Sequence, residues 1–541
     1  MNAEAKEKTN NIFSAINAWQ KIVGSENVID DSRSIKEFES ATYKTTNSIA
    51  LILFPQNVEH VQECVRIANK YCVSLYPISK GKNWGYGSRV PAENNCVVIS
   101  LEKMNSIKDF SEDLAYITVE PGVTFQQVYD FLIEKNSKLV APGIGSSKSA
   151  SLIGNALERG IGKGIYGDRF QFSCNMEVVL PNGDLINTGF GNIENANSKN
   201  VYKWGLGPSI DGIFTQSNFG IITKMTFWLS QRPEFFQQIF YTIKNNEQLD
   251  KAIEALRKLR LEGTLTTTST LANSHRILSM KQQFPYGKFD ENKSIPNEYV
   301  KEFESAALRG ACWVGDDAIL SATKKIGKAR AKRVKQLLGK AVDDLIIIDN
   351  EKAAIFKILW KPIKILTGVD LRELLFFFYN SFYLGKPMEK QLSICYFRKK
   401  ITPPAEIDID KDRCGVIWYS PSVPFQDKHV RNTLTILEKV YTKYQFEPNI
   451  GMNFMSDRGI AFTAAIIYDR DVEGQDERAI NCYNEMKEEL LKAGYPPYRL
   501  GIQSMDKMFS TSKEYVDFVN SLKRSIDPNN IISPSHYGIT G

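Results

Sequence analysis

Apolar and polar positions follow two different rhythms along the chain, changing near Gln231-Arg232-Pro233. Before that point short apolar runs alternate with amphipathic stretches. After a helical lead-in over 11–23, residues 49–53 read as a strand. Residues 57–71 read as a helix with Val58, Val61, Val65 and Ala68 on one face. His60 on that helix reads as a surface or half-buried side chain. A strand over 74–78 runs into a glycine-rich loop and then a strand over 97–101. Residues 116–119 form a strand ending at Glu120-Pro121-Gly122. Thr124 then opens a helix, with Gln127 completing a capping box. Residues 176–180 and 185–188 pair as a hairpin closed by Pro181-Asn182-Gly183-Asp184, and 221–229 form a further strand.

Beyond Arg232 the order is strand 239–243, helix 247–262, strand 312–314, long helix 316–338 and strand 345–348. A strand over 413–420 follows. Helices over 428–444 and 473–494 flank a strand over 460–467. This half reads as a separate α+β unit. The turn Pro496-Pro497-Tyr498-Arg499 leads to a polar, turn-rich tail over 527–538, expected to be ordered by a ligand or a domain. There is no internal repeat. The expected long helix carries a basic run, Lys324, Lys325, Lys328, Arg330, Lys332, Arg333 and Lys335, with Ile319, Ile326, Val334 and Leu337 on its buried side. Without interleaved aromatic residues, the run reads as a solvated face and not a nucleic-acid surface.

Composition narrows the function classes. The 541 residues are 43% hydrophobic and 24% charged, as in ordinary globular proteins, and 11% aromatic content excludes wholesale disorder. A net charge of +6 suits an anionic ligand without requiring one, and does not point to nucleic acid. Four histidines, and eight cysteines without a Cys-x-x-Cys, argue against a metal site and a disulfide framework. The most apolar stretch, 371–384, is short and broken by Arg372, Glu373 and Asn380, so no membrane span is expected. The N-terminus is charged and lacks an apolar signal core. A reduced, cytoplasmic protein is the expectation.

Two glycine-rich stretches carry the candidate chemistry. The first, Ser79-Lys-Gly-Lys-Asn-Trp-Gly-Tyr-Gly87, joins two strands. Its glycines allow positive φ and its N–H groups can form an anion-binding nest, although the same residues also suit a plain connecting loop. The second runs from Gly154 to Asp168. Neither is a Walker A loop, and neither has the context of a Rossmann Gly-x-Gly-x-x-Gly turn. Two such stretches in one α/β half suggest a large anionic cofactor, with a dinucleotide leading.

These and other segments resemble the flavoprotein family of vanillyl alcohol oxidase and the p-cresol methylhydroxylase flavin subunit. The resemblance rests on Pro77-Ile-Ser-Lys-Gly-Lys-Asn-Trp-Gly-Tyr-Gly87, Gly154-Asn-Ala-Leu-Glu-Arg-Gly-Ile-Gly162, Tyr166-Gly-Asp168 and 207–223, with Tyr498-Arg499 and 527–538 extending it to the end. It implies an α+β fold: an FAD-binding domain over 1–231, a substrate (cap) domain over 232–490, and a C-terminal return over 491–541. It implies that Pro77, Ser79, Gly81, Lys82, Asn83, Trp84 and Gly85 wrap the FAD pyrophosphate. Pro121, Gly122, Pro142, Gly143, Ser151, Gly154, Asn155, Gly160, Gly162, Gly220 and Ile222 would line the same cofactor, and His536 would face the flavin.

The activity implied is hydride removal from the benzylic carbon of a para-alkylphenol, bound as phenolate and converted to a quinone methide. Tyr86, Tyr498 and Arg499 match the positions that hold the phenolate oxygen. The residues alone also allow Tyr86 to pack at the loop end and Arg499 to pair with a carboxylate. The chain departs from the family pattern in places. Lys163 stands where vanillyl alcohol oxidase has a third tyrosine, and would neutralise an oxyanion or pair with a substrate carboxylate. Ser146 or Ser147 replaces the aspartate near the reacting carbon. Val416 replaces the histidine that carries covalent flavin, leaving Tyr419 as a weaker linking site; non-covalent FAD is therefore expected. The alternative is a specialised-metabolite dehydrogenase or desaturase acting on a non-phenolic or anionic substrate, and a flavin-binding subunit without turnover is a third reading. Expected partners are a small-molecule substrate, oxygen or a redox protein as electron acceptor, and a second copy of the chain.

Overall fold

The computed structural model describes residues 3–367 and 371–541. Met1 and Asn2, where the charged N-terminus begins, lie outside the described residues.

The first sheet has four strands in the order Val28–Ile29, Ile49–Leu53, Cys96–Ser100, Leu75–Ile78, the last three running parallel. The helix Val58–Lys70 buries Val61, Val65 and Ala68 in the sheet's core together with Trp19 of the helix Ala3–Val23. Asn57 caps it by accepting from the His60 N–H, and His60 is half-buried. The second sheet is antiparallel, in the order Ile107–Ser111, Tyr116–Val119, Ile221–Trp228, Ser173–Val179, Leu185–Asn187. Its last two strands are the expected hairpin. The helix Phe125–Glu134 starts with the full Thr124–Gln127 capping box.

An antiparallel sheet of eight strands fills the region from Phe235 to Asp469. Period-two alternation gives it two different faces. Ile239, Tyr241, Ile243, Leu271, Ile417, Tyr419, Ile450 and Met452 pack into a core shared with the helices Asn246–Leu261, Lys324–Leu337, Asp427–Tyr444 and Gln475–Lys492. Their neighbours Phe240, Thr242, Thr270, Ala272, Trp418 and Gly451 line a cavity on the opposite face.

One expectation fails in this sheet. Residues 313–321 form a strand, Trp313–Ser321, so Asp316 and Asp317 do not open a helix. The helix begins only at Lys324, capped by Thr323. Its buried side is Gly327, Ala331 and Val334; Ile326, expected inside, is 46% exposed. The basic residues of this helix find partners of the solvated kind, Arg333 with Glu262 and Lys324 with Glu351.

The chain end returns to the first sheet. Ile532 forms a parallel bridge to Leu75, and Lys523 donates to the carbonyls of Asn218 and Ile532. No described helix is long and apolar enough to cross a membrane.

Candidate active site

A cavity of about 890 Å³ lies between the glycine-rich loop and the large sheet. Ligand clefts run to roughly 1,000 Å³, so it is of a size for a large ligand. Gly85 shows why the loop is glycine-rich. Its φ is +79°, and a Cβ there would sit 1.9 Å from Trp418 Cδ1. No other residue lets the loop lie this close to the sheet. Thr42 Oγ1 accepts from the Gly85 N–H, and Asn83 O from the Tyr86 and Ser88 N–H groups. The N–H groups of Gly81, Lys82 and Asn83 have no acceptor among the described residues, which leaves donors for an anion along the cavity wall. Lys82 is held by Asp408 at 2.7 Å and lies 4.8 Å from the Trp84 ring. Trp84 and Ser88 both donate to Asp410, whose burial lifts its carboxyl to about 7.

Pro77, Ser79, Gly81, Lys82, Asn83, Trp84, Ser151, Gly154, Asn155, Gly160, Gly162, Gly220, Ile222 and His536 all line this cavity. So do Tyr86, Lys163, Tyr498 and Arg499. Gly85, Pro121, Gly122, Pro142 and Gly143 are not part of its lining. Pro121 O accepts from the Ser151 hydroxyl at 2.6 Å, and Gly143 O accepts from Arg169 at 2.7 Å. Arg169 ties the second glycine-rich stretch together by also donating to Asn155 Oδ1 and Gly160 O. A Cβ on Gly162 would lie 2.3 Å from its Nη2. Burial lowers the Arg169 pKa to about 9.

The expected phenolate residues form one cluster. Tyr86 Oη shares a 3.0 Å hydrogen bond with Ser420 Oγ. The Arg499 guanidinium stacks 4.4 Å from the Tyr86 ring and donates to Asn83 Oδ1. Burial raises the Tyr86 pKa, against the pull of Arg499, Ser420 and Tyr498. Burial likewise raises that of Tyr498. Of the two open readings of Arg499, the structure shows the carboxylate pair: its Nε is 3.3 Å from Glu158 Oε2. The opposite oxygen of Glu158 is 3.4 Å from His536 Nε2, and Tyr537 donates to Glu158 at 2.8 Å. Burial disfavours this carboxylate, but His536, Arg499 and Tyr537 outweigh it and hold its pKa at about 2. His536 Nδ1 is buried without a partner.

Lys163 lies elsewhere on the wall. Its ammonium is 3.0 Å from Asp316 Oδ1, and Tyr383 donates to Asp316 Oδ2 at 2.7 Å. The lysine charge is thus neutralised within the chain. Ser147 donates to Glu389, while Ser146 lines the cavity. Val416 is fully buried beside Cys414 and Ile467. Tyr419 points to the helix side of the sheet and packs on Tyr483, away from the cavity.

Glu158, Arg169, Asp316 and Arg276 are not among the residues singled out from the sequence. Glu158 stands inside the second glycine-rich stretch, and Arg169 directly follows Asp168. Their positions were the available signal. Asp316 was hidden by the misplaced helix. Nothing around Arg276 marks it out.

The residues present fit a dinucleotide: free loop donors, a wall opened by glycines, and a cluster of aromatic and charged groups at one end. Residues 49–189 match a family described as an FAD binding domain. The chain is 38% identical over 523 residues to 1'-carboxy-chondrochloren decarboxylase of Chondromyces crocatus, covering 97% of this chain and 96% of that protein. It is 27% identical over 532 residues to the flavoprotein subunit of 4-cresol dehydrogenase (hydroxylating) of Pseudomonas putida, covering 97% and 95%. Substrate-bound p-cresol methylhydroxylase superposes with a TM-score of 0.88 at 26% identity, covering 98% of this chain and 97% of that one. This chain belongs to the vanillyl alcohol oxidase and p-cresol methylhydroxylase family of flavoproteins, and is an FAD-dependent oxidoreductase.

Proposed function

We propose that the enzyme removes hydride from the benzylic carbon of a para-substituted phenol. One observation carries the reading: Tyr86, Ser420, Tyr498 and Arg499 converge in the cavity walled by the glycine-rich loop, with Arg499 stacked 4.4 Å from the Tyr86 ring. A sequence relative and a solved structure that cover nearly the whole chain carry names for the same reaction, hydroxylating oxidation of 4-cresol (p-cresol).

FAD supplies the hydride acceptor when bound. The chain's own groups do the rest. The Tyr86 and Tyr498 hydroxyls and the Arg499 guanidinium hold the phenol oxygen and favour its anion. Electron density from that oxygen moves through the ring as hydride leaves, giving a quinone methide. Glu158 fixes the Arg499 fork so that its stacked face lies against Tyr86. Buried Val416 offers no nucleophile and Tyr419 faces away, which supports FAD held without a covalent link. Oxygen or a redox protein is the electron acceptor in this reading.

The test is anaerobic mixing of the holoenzyme with 4-alkylphenols. Loss of oxidised-flavin absorbance is expected. A flavin left oxidised by the whole series overturns the reading. A second reading, an anionic substrate of specialised metabolism, is favoured by one observation: the 38% identical relative is named for a carboxylated compound that it decarboxylates.

A further inference from the structure

Most cations on the cavity wall are already neutralised. Lys80 pairs with Glu102, Lys82 with Asp408, Lys163 with Asp316, Lys281 with Glu373, Arg309 with Asp344 and Arg499 with Glu158. Arg276 is different. It stands in the first turn of the helix Ser274–Lys281, where Asn273 Oδ1 accepts its backbone N–H. Its side chain crosses the cavity face of the large sheet. A Cβ on Gly451 would sit 3.4 Å from its Nε, and its guanidinium lies 5.6 Å from the Trp418 ring. No carboxylate among the described residues pairs with it. Its Nη1 is shut off from bulk water and has no hydrogen-bond partner. Burial accordingly holds its pKa below the ordinary value.

A half-buried guanidinium without an anion, one of its nitrogens closed off, is costly, and the cost is offset when an anion reaches its cavity-facing side. We infer that Arg276 anchors a carboxylate carried by the substrate, at a subsite separated from the Tyr86–Arg499 cluster by the Trp418 indole. The planar fork suits a two-oxygen acceptor. A single uncompensated charge matches a carboxylate better than a phosphate dianion. Trp418 packs against Gly85 with its Cδ1 edge and has the Arg276 guanidinium over its ring at 5.6 Å, so the indole lies next to both groups. The substrate class is then a phenol whose para substituent ends in a carboxylate. The phenolic half of that statement rests on the function proposed above; the anchor itself does not.

The experiment uses the holoenzyme and the perturbation of its flavin spectrum as the binding readout. The probes are 4-hydroxyphenyl alkanoates with one to four methylenes, the matching carboxamides, 4-alkylphenols of equal length, and phenylalkanoates lacking the hydroxyl. At the best chain length the carboxylate is expected to bind at least tenfold tighter than its carboxamide. Arg276→Met should erase that gap, and Arg276→Lys should keep part of it. A wild-type enzyme that binds carboxylate and carboxamide equally at every length overturns the anchor, whatever the variants do. So does a gap that survives in Arg276→Met. If phenylalkanoates bind through Arg276 while no phenol perturbs the flavin, the anchor stands and the phenol reading falls. If phenols bind and the carboxylate adds nothing, the anchor falls alone.

Discussion

Glu158 is the residue on which the charge balance of the site turns. It neutralises Arg499, faces His536 and accepts from Tyr537. Its carboxyl is held at about 2, down from an ordinary 4.5. An acid with a depressed folded-state pKa stabilises above its unfolded pKa and loses that contribution as pH falls through the interval between the two. Two to three units correspond to about 3 kcal/mol. Glu158→Gln should therefore unfold at lower urea at pH 7, by about 3 kcal/mol. The gap to wild type should narrow as the pH drops below 4.5; an unchanged gap at pH 3 would refute the assignment. Tyr86 supplies a hydrogen bond to a charged oxygen in the proposed reaction. Such bonds are worth about 1.5–3 kcal/mol, so Tyr86→Phe should slow flavin reduction by a 4-alkylphenol roughly 10- to 100-fold. Tyr86, Tyr498 and Arg499 could be picked out beforehand because their residue types and neighbours carry the family resemblance. Arg276 and Asp316 could not, since a lone charged residue on a strand or helix becomes meaningful only through what the fold brings opposite it.

At the scale of elements, the glycine-rich loop depends on backbone freedom at one point. Gly85→Ala adds a Cβ at 1.9 Å from Trp418, in a left-handed backbone conformation. The loop must shift, and the variant is expected to purify with far less FAD than wild type while its circular dichroism stays close to it. From a fully buried position Arg169 holds the second stretch by two hydrogen bonds and ties it to Gly143 by a third. Arg169→Met should lower the midpoint of thermal unfolding, because Gly143 O, Gly160 O and Asn155 each lose a buried donor. The short apolar strands and the capped helices of the first half were legible, since their periods and caps are local. Of the strand Trp313–Ser321 only the start, expected over 312–314, was. Asp316 and Asp317 look like the polar start of a helix, yet Asp317 is buried against Arg260 at 2.9 Å and Asp316 faces the cavity with Lys163. A carboxylate paired across the fold reads as solvent-facing in one dimension. The direction in which Tyr419 points was not legible for a related reason: the parity of its strand is fixed only by the helices packed against it.

Across the whole molecule, the chain end closes the cofactor half. Lys523 is fully buried with Asp527 at 2.6 Å and donates to carbonyls of two other segments. Removing one partner of such a pair costs about 3–5 kcal/mol, so Lys523→Met should destabilise the fold by that order in urea. It should do so although it lies outside the cavity. The α+β architecture and the cofactor followed from motifs spread along the sequence. That Arg276 and Trp418 line the same cavity as the tyrosine–arginine cluster did not, because it arises where the large sheet meets the loop. The most direct measurement is rapid anaerobic mixing of the holoenzyme with 4-ethylphenol and with its carboxylated homologues, following oxidised-flavin absorbance. The account predicts bleaching that slows at least tenfold in Tyr86→Phe. Flavin that stays oxidised with every para-substituted phenol, carboxylated or not, would contradict it.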